Sequence, residues 1–475
     1  MVLPLPENAF IHPHGYNQQQ IASLFKATAD QILAYLTSAA THVPIPDLAP
    51  LPLVTIPEQS GDLAELLAPL QRIMAQSMNP AHPGYVGHMD PLPTTASLLG
   101  DWVAAALNNN MLSVEMSPAL SRLEPQLMAE IAQMFGLGER SGGLLVSGGS
   151  LANLQALTVA RNLKLNCLDQ GLTGQAPPVI LASEMAHTSI QKAAMVLGLG
   201  RNGVVPVAAN ARGQMDPEAL QDCLEVCLGA GQRPFAVVAT AGTTVTGSID
   251  PLLEIHRLAR TYDLWFHVDA AYGGALIFSP QHRYRLQGID LADSVTFNPQ
   301  KWLYVTKTCA SVLFRDMTGL EEHFRISAPY MNRQDNWANL GEITLQGTRH
   351  GDILKLWLSL QHLGKAGYAA LIETSYGLTR SMVDCISQRP HLTLACTPAM
   401  NLVCFRSCPA SLPESQWDDW NSHLQQNLLA KGQVFFSLPW WRGERWLKAV
   451  LLNPYTTDND INNWFALLDT LSERV

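Results

Sequence analysis

Two side chains at the ends of apolar segments, an amine and a carboxylate, could serve one heterocyclic cofactor. Asp269 ends the apolar run 264–268, and Lys301 follows a second run at 294–297. Both runs are typical of buried strands. Because an amine can form a Schiff base with an aldehyde and a carboxylate can keep a ring nitrogen protonated, the pair predicts a pyridoxal phosphate site. Desolvation there would lower the pKa of the lysine and make it a usable nucleophile.

A glycine-rich turn supplies a candidate phosphate site. Gly149 and Ser150 follow the run 144–146 and open a predicted helix. Glycine lets the backbone approach an anion, and the free N–H groups of a helix N-terminus favour negative charge. The same residues also form ordinary turns and helix caps, so this motif alone leaves both interpretations open.

Two further residues at predicted strand ends carry groups that suit a flat ring. His187 follows the run 179–181 and could stack on the ring or be an interior histidine. Thr244 follows the run 235–239, and its hydroxyl could bond a phenolate oxygen or a substrate carboxylate, although threonine is common at strand ends. For Asp269, a structural arginine is the alternative partner. The joint occurrence of these residues, in this order, favours the cofactor site.

Short apolar runs alternate with helical segments through the middle of the chain. This alternation is typical of a mostly parallel sheet covered on both faces, which binds ligands at the carboxyl ends of its strands. We predict an α/β fold with an N-terminal helical and extended segment (1–90) that packs across another subunit or domain, a large cofactor domain (91–365) and a small α+β domain (366–475). The runs are 144–146, 179–181, 204–207, 235–239, 264–268, 295–297 and 310–314.

The composition is that of an ordered globular protein with little affinity for polyanions. Only 15% of the 475 residues are charged, 47% are apolar, and the formal net charge is −10, which argues against binding of nucleic acid or an anionic membrane. No apolar run reaches the roughly 18 residues of a membrane span, and the N-terminus lacks the pattern of a secretion signal. The cysteines lack metal-ligand spacing, so we expect a reduced, cytoplasmic protein without a metal site.

These motifs, together with the segments 82–85 (His-Pro-Gly-Tyr) and 453–458, resemble the pyridoxal phosphate-dependent amino-acid decarboxylases of the glutamate and aromatic amino-acid group. The resemblance covers most of the chain. It implies a fold-type I, aminotransferase-like enzyme whose partner is a small-molecule amino-acid substrate. It also implies a homodimer whose active sites lie at the subunit interface.

The resemblance implies a role for each residue around the cofactor ring. Lys301 would form the Schiff base, and Asp269 would hold the ring nitrogen. His187 would stack on one face of the ring, and Ala271 would lie against the other. Thr244 would lie beside the phenolate oxygen.

The phosphate ligands implied by the resemblance are Gly149, Ser150 and Asn298. The chain departs from the family at Gln300, since relatives usually carry a histidine directly before the lysine. Glutamine can still hydrogen-bond phosphate or a carboxylate, but it cannot titrate. Any proton transfer assigned to this position in relatives is therefore in doubt here.

Two residues further along the chain match family segments that act on the substrate. Tyr330 falls where relatives carry a tyrosine on a mobile loop, and that tyrosine protonates the substrate carbon after carbon dioxide leaves. Arg349 lies in a stretch similar to the family's arginine-containing segment. It would orient either the substrate carboxylate or the surrounding fold.

We therefore predict α-decarboxylation of an L-amino acid to the corresponding amine and carbon dioxide. In relatives the segment after residues 82–83 lines the side-chain pocket, which makes Tyr85 and His88 candidate substrate residues. His88, without an aromatic pair, favours a small polar substrate: aspartate, glutamate, cysteine sulfinate or 2,4-diaminobutyrate. Decarboxylation of an aromatic amino acid is the alternative. Tyr330 argues against an aromatic aldehyde synthase, in which phenylalanine is typical, and the intact Lys301 argues against a non-catalytic scaffold.

Overall fold

The computed structural model describes residues 6–51, 55–327 and 337–473, and its centre is a seven-stranded sheet. The strands are β1 (Gly142–Val146), β2 (Pro178–Ser183), β3 (Val204–Val207), β4 (Arg233–Thr240), β5 (Trp265–Asp269), β6 (Ser294–Phe297) and β7 (Ala310–Phe314). Their order is β1-β7-β6-β5-β4-β2-β3; β7 runs antiparallel to both its neighbours, and the other pairs are parallel. Each predicted apolar run overlaps one strand, so the predicted mostly parallel sheet is confirmed.

Helices connect these strands and bury the sheet. They are α1 (Gln18–Thr37), α2 (Leu67–Ala75), α3 (Thr95–Leu107), α4 (Leu120–Met134), α5 (Gly149–Leu165), α6 (Ser189–Val196), α7 (Pro217–Gly229), α8 (Leu252–Thr261), α9 (Met317–Phe324), α10 (Ile353–Ser387), α11 (Trp417–Gly432) and α12 (Asp458–Ser472). α5 packs against β1 and the central strands β4 to β7, and α7 and α8 pack against β4. None of the helices in the described ranges is both long and apolar enough to cross a membrane.

A smaller antiparallel sheet with its own apolar core follows α10. Its strands are β8 (Leu392–Leu394), β9 (Leu402–Ser407) and, after the short pair β10 (Trp440–Trp441) and β11 (Glu444–Arg445), β12 (Leu447–Val450). The order is β12-β9-β8, and α11, α12 and the later part of α10 enclose the core. α10 is kinked at Gly364, whose φ is +58°. The kink lies next to the predicted boundary between residues 365 and 366, and the domain boundaries themselves stay a prediction.

The segment 84–88 packs against the small sheet, although it lies far from it in sequence. The backbone N–H of Phe435 donates to the carbonyl oxygen of Gly84 (2.8 Å), and that of Val450 donates to Val86 (2.5 Å). A Cβ on Gly84 would collide with a backbone oxygen, which explains why glycine occupies this position. These two hydrogen bonds place His88 near β12.

Apolar side chains of α1 and α3 form an exposed surface, called here the α1/α3 surface. Phe25 of α1 is 45% exposed, and Trp102 and Val103 of α3 are 49% and 50% exposed. The rings of Phe25 and Trp102 are in edge contact, with centroids 5.7 Å apart. The two helices therefore present one continuous apolar surface.

Candidate active site

A cavity of about 290 Å³ opens where the parallel strands end. The pairing of Thr240, Asp269 and Thr296 places the ends of β4, β5 and β6 at one level, so their side chains converge. Every residue predicted to bind the cofactor lines this cavity: Gly149, Ser150, His187, Thr244, Asp269, Ala271, Asn298, Gln300 and Lys301. Asn153 and Ser189 line it too, and the sequence analysis had not singled them out.

Asp269 is a buried carboxylate held by neutral donors. Asp269 is 6% exposed. One oxygen accepts from Nδ2 of Asn153 (2.8 Å), and the other accepts from the backbone N–H of Ala271 (3.1 Å). Among the described residues no arginine or lysine forms an ion pair with it, so the alternative of a structural arginine finds no support. A protonated ring nitrogen in the cavity would supply the missing positive charge.

Lys301 projects from a tight turn after β6 and reaches the same cavity. Its backbone N–H donates to Asn298 (3.0 Å), and its carbonyl accepts from Tyr304 (3.1 Å), which adopts a left-handed φ of +57°. The hydroxyl of Tyr304 donates to the carbonyl of Leu452 (2.8 Å), which anchors the turn. Desolvation lowers the pKa of Lys301, and the nearby Asp269 opposes that effect. The amine is therefore more available as a nucleophile than an exposed lysine.

The N-terminus of α5 forms the opposite wall. Gly148 caps the helix, and its carbonyl accepts from Leu151 (3.0 Å), so the backbone N–H groups of Gly149 and Ser150 have no partner within the helix. A Cβ on Gly149 would lie 2.7 Å from Nδ2 of Asn298, so a larger residue there would have to displace the Asn298 side chain. The side-chain oxygen of Asn298 is buried and has no partner in the part of the chain that is described. A buried polar atom without a partner indicates that a ligand completes this wall.

The contacts of Gln300 define what it can offer a ligand. Its side-chain oxygen accepts from the backbone N–H of Cys309 (2.6 Å), and its own backbone N–H donates to the carbonyl of Cys309 (3.1 Å). With the oxygen committed, the amide nitrogen is the group left for the cavity. It is a donor that cannot titrate, which suits a phosphate or a carboxylate and excludes acid–base catalysis by this side chain.

His187 and Thr244 border the cavity from two other loops. Nδ1 of His187 contacts the hydroxyl of Ser189 (2.9 Å) and accepts from its backbone N–H (3.2 Å). Desolvation lowers the pKa of His187, although Asp269 opposes it, so the imidazole is neutral near pH 7. Thr244 has an exposed side chain, and its carbonyl oxygen accepts from Nζ of Lys448 (3.2 Å).

Lys448 is a residue that the sequence analysis missed. It lies on β12 and is 4% exposed. Within the described ranges it forms no ion pair, and desolvation lowers its pKa to about 8. The sequence could have pointed to it, because Lys448 interrupts the apolar stretch 446–452. A lysine in such a stretch is expected to be buried, and a buried lysine is rare without a partner. A cation held at the rim of the cavity, through Thr244, is suited to an anionic substrate group.

The two candidate substrate residues of the segment 84–88 do not line the 290 Å³ cavity. Tyr85 is buried and stacks on Phe435, with ring centroids 5.8 Å apart. His88 is exposed, with its ring 5.4 Å from that of Phe435. Desolvation lowers the pKa of His88, and the charge of Lys448 lowers it further. His88 is therefore a neutral hydrogen-bonding group next to a cation.

Arg349 does not line the cavity either. Of its two predicted roles, its contacts support orientation of the surrounding fold rather than of the substrate carboxylate. Its Nη1 donates to Glu124 (3.0 Å) and to the carbonyl of Leu145 (2.8 Å). Glu124 in turn accepts from the backbone N–H of Leu145 (3.0 Å). This buried pair fixes β1 just before the glycine turn. Tyr330, the predicted proton donor, lies outside the described residues.

A cluster away from this cavity resembles a metal site but already contains a cation. Ligand atoms of Asp101, His350 and Asp352 lie within 4.8 Å of one another. The buried ammonium group of Lys355 is 3.3 Å from Asp101 and 2.9 Å from Asp352. The cluster is therefore an ion-pair network that joins α3 to the start of α10.

Comparison with known proteins agrees with this geometry. Residues 47–408 match the model of the pyridoxal-dependent decarboxylase conserved domain. The chain belongs to this family. It is 33% identical to the L-2,4-diaminobutyrate decarboxylase of Rhizobium meliloti over 95% of this chain and 87% of that protein. It is 30% identical to the cysteine sulfinic acid decarboxylase of Mus musculus over 95% of this chain and 96% of that protein. The crystal structure of mouse CSAD in apo form superposes with a TM-score of 0.86, at 28% identity, over 95% of this chain and 100% of that one.

The chain is thus an amino-acid decarboxylase that uses pyridoxal phosphate, and its cavity fits this cofactor. An accessible amine, a carboxylate without an ionic partner and a helix N-terminus line one space, at Lys301, Asp269 and Gly149. The unpartnered oxygen of Asn298 marks a wall that a ligand completes. The prediction of this family, made from the motifs, is confirmed.

Proposed function

We propose that this enzyme decarboxylates a small polar L-amino acid and that Lys448 binds the polar side chain of the substrate. The supporting observation is the buried ammonium group of Lys448, which lies at the rim of the cavity and has no carboxylate partner among the described residues. A buried charge without a counterion is unfavourable unless a ligand supplies one. Relatives named for 2,4-diaminobutyrate and for cysteine sulfinic acid are in line with a small polar substrate.

The residues around the ring divide the work of binding the cofactor. Pyridoxal phosphate, when bound, supplies an aldehyde that captures amines and a conjugated ring that takes up the electrons released with carbon dioxide. Lys301 would hold the cofactor through its amine. Asp269 keeps a proton on the ring nitrogen. His187 covers one face of the ring as a neutral imidazole.

The phosphate end of the site rests on donors that carry no full charge. The backbone N–H groups of Gly149 and Ser150 and the amide nitrogen of Gln300 would donate to phosphate oxygens, and Asn298 closes the wall. The positive end of α5 adds a favourable potential for the dianion. Thr244 would lie beside the phenolate oxygen and Ala271 against the second face of the ring, since both line the cavity.

The charges at the outer side of the cavity favour an acidic side chain within the proposed class. Lys448 and Lys307 are cationic, and Asp90, which pairs with Lys307, is the acidic group beside them. His88 adds a neutral donor at this position. Aspartate, glutamate or cysteine sulfinate would complement this surplus of positive charge better than the ammonium group of 2,4-diaminobutyrate. An aromatic substrate would leave Lys448 without an anionic partner, because Lys307 already pairs with Asp90.

We also propose a cytoplasmic homodimer in which the N-terminal segment packs across the partner and the two sites lie at the interface. The α1/α3 surface supports it, because adjacent apolar side chains at 45–50% exposure are the kind of surface that a second subunit covers. Tyr330 remains the proposed proton donor to the substrate carbon.

The test is carbon dioxide release from a panel of L-amino acids by the cofactor-loaded enzyme, with identification of the amine formed. Release from aspartate, glutamate, cysteine sulfinate or 2,4-diaminobutyrate supports the proposal. Release confined to tyrosine, phenylalanine or tryptophan overturns the substrate class. Lys448→Met should raise KM strongly with the preferred substrate, and the matched Lys448→Arg, which keeps the charge, should raise it much less. Equal KM values for the two variants would refute the role of Lys448.

A further inference from the structure

We propose that Asn153 is a positioning residue that couples the two contacts to the cofactor ring, because one side chain both holds Asp269 and fixes the tautomer of His187. The inference rests on the roles proposed above for Asp269 and His187. Asn153 lies in the second turn of α5 and is 1% exposed. Its contacts assign every polar hydrogen in a buried chain of side chains.

The orientation of the Asn153 amide follows from Asp269. An ionised carboxylate only accepts hydrogen bonds, so the group 2.8 Å from it must be Nδ2 of Asn153. The side-chain oxygen then faces the hydroxyl of Thr296 (2.6 Å) and Nε2 of His267 (3.0 Å). Because a carbonyl oxygen cannot donate, Nε2 of His267 carries the proton.

The contacts of Nδ1, the other ring nitrogen of His267, are consistent with a proton on Nε2. His267 is fully buried, and desolvation lowers its pKa to about 4, so the ring is neutral and its Nδ1 is an acceptor. Nδ1 lies 2.8 Å from the hydroxyl of Ser294, which can donate to it because Ser294 accepts from the indole N–H of Trp265 (2.8 Å). Each donor in the chain meets an acceptor, which makes the arrangement rigid.

The second hydrogen of the Asn153 amide sets the state of His187. It points to the hydroxyl oxygen of Ser189 (2.9 Å), which leaves the Ser189 hydrogen for Nδ1 of His187 (2.9 Å). The backbone N–H of Ser189 donates to the same nitrogen (3.2 Å). Nδ1 therefore accepts twice, and the proton of the neutral imidazole lies on Nε2. The ring is fixed at one edge and carries no positive charge towards the cofactor.

Asparagine is the side chain of this size that can meet all four contacts. Aspartate in its place would accept from His267 but would lie against Asp269 as a second carboxylate. Leucine would keep the volume and remove every hydrogen bond. Ser189→Ala removes the His187 branch alone and leaves the contact between Asn153 and Asp269 in place.

The test compares Asn153→Leu, Asn153→Asp, Ser189→Ala and the conservative Ser189→Thr with the matched control Asn162→Leu. Asn162 is a buried asparagine on the same helix that donates to the carbonyl of His323 (2.8 Å), away from the cavity. The readout is the ¹⁵N spectrum of histidine-labelled, cofactor-loaded enzyme, with the His187 signals assigned through His187→Gln. Cofactor affinity and kcat are measured beside it.

We expect wild type, Ser189→Thr and Asn162→Leu to show one His187 tautomer, with the proton on Nε2. Ser189→Ala and both Asn153 variants remove or release the hydroxyl contact to Nδ1 and leave only the longer backbone contact of Ser189 (3.2 Å), so they should show a mixture of tautomers. They should also lose about 100-fold in kcat, the order of loss expected from a misplaced group at the site. The two Asn153 variants should also bind the cofactor more weakly. An unchanged His187 tautomer in the Asn153 variants would overturn the inference, while decarboxylation by wild type would leave the proposed function standing. Failure of wild type to decarboxylate any amino acid would instead refute the proposed function.

Discussion

Replacing Lys448 by methionine should stabilise the cofactor-free protein at pH 7 while impairing substrate binding. The pKa of this buried lysine falls from its ordinary value of 10.5 to about 8 through desolvation. The folded state therefore holds the protonated amine at a cost of about 3 kcal/mol at pH 7. Loss of the hydrogen bond to Thr244 offsets this by about 1 kcal/mol, so Lys448→Met should raise the free energy of unfolding by about 2 kcal/mol.

The sign of the pH dependence follows from proton binding. Above about pH 8 the folded chain releases the Lys448 proton, whereas the unfolded chain keeps it up to about pH 10.5. Between these values the unfolded state binds more protons, so the wild type gains stability as the pH rises. The difference in the free energy of unfolding between wild type and Lys448→Met should therefore decrease by about 2 kcal/mol between pH 7 and pH 9.5.

The assay is urea unfolding of both proteins at several pH values, followed by tryptophan fluorescence at one protein concentration. Lys355→Met is the matched control, because Lys355 is equally buried but paired with two carboxylates. Breaking that network should destabilise the protein by about 3–5 kcal/mol, the opposite sign. If the free energies of unfolding of wild type and Lys448→Met differ by the same amount at pH 7 and at pH 9.5, the ammonium group of Lys448 is not destabilised by burial.

Three further outcomes are expected. Lys301→Ala should abolish covalent attachment of the cofactor, seen as loss of the mass increase after borohydride reduction; a variant that keeps full turnover would contradict the assignment. Arg349→Met should lower the free energy of unfolding by about 3–5 kcal/mol by leaving Glu124 buried and unpaired, and a large loss of kcat in the folded variant would restore the substrate role. Gly149→Ala should weaken cofactor binding, because the added Cβ would displace Asn298, and fluorescence titration that finds wild-type affinity would contradict this.

The sequence predicted those parts of the site that depend on local pattern. Asp269 and Lys301 each follow an apolar run, and parallel strands bring the ends of such runs to one edge of the sheet. The nine cofactor residues therefore lie where the strand pattern indicated. The roles assigned to them, and to Tyr330, remain predictions.

Residues whose importance depends on distant contacts could not be found in this way. Lys448 meets Thr244 across more than 200 positions of the chain, and Arg349 meets Glu124 across a similar separation. The partner of a buried charge is a property of the tertiary fold, so the sequence left Arg349 with two possible roles and did not single out Lys448. Asn153 could not be found for the same reason, because its contacts come from β5, β6 and the first residue of α6.

The docking of the segment 84–88 on β12 would keep the proposed substrate contacts apart from the proposed cofactor contacts. Lys301 and Asp269 lie at strand ends of the large sheet. Lys448 lies on the small sheet, and His88 belongs to the segment that packs against it. Exchanges confined to the small sheet could therefore retune which side chain is accepted without disturbing the catalytic apparatus. Binding of the cofactor and choice of the substrate would then depend on two sheets with separate apolar cores.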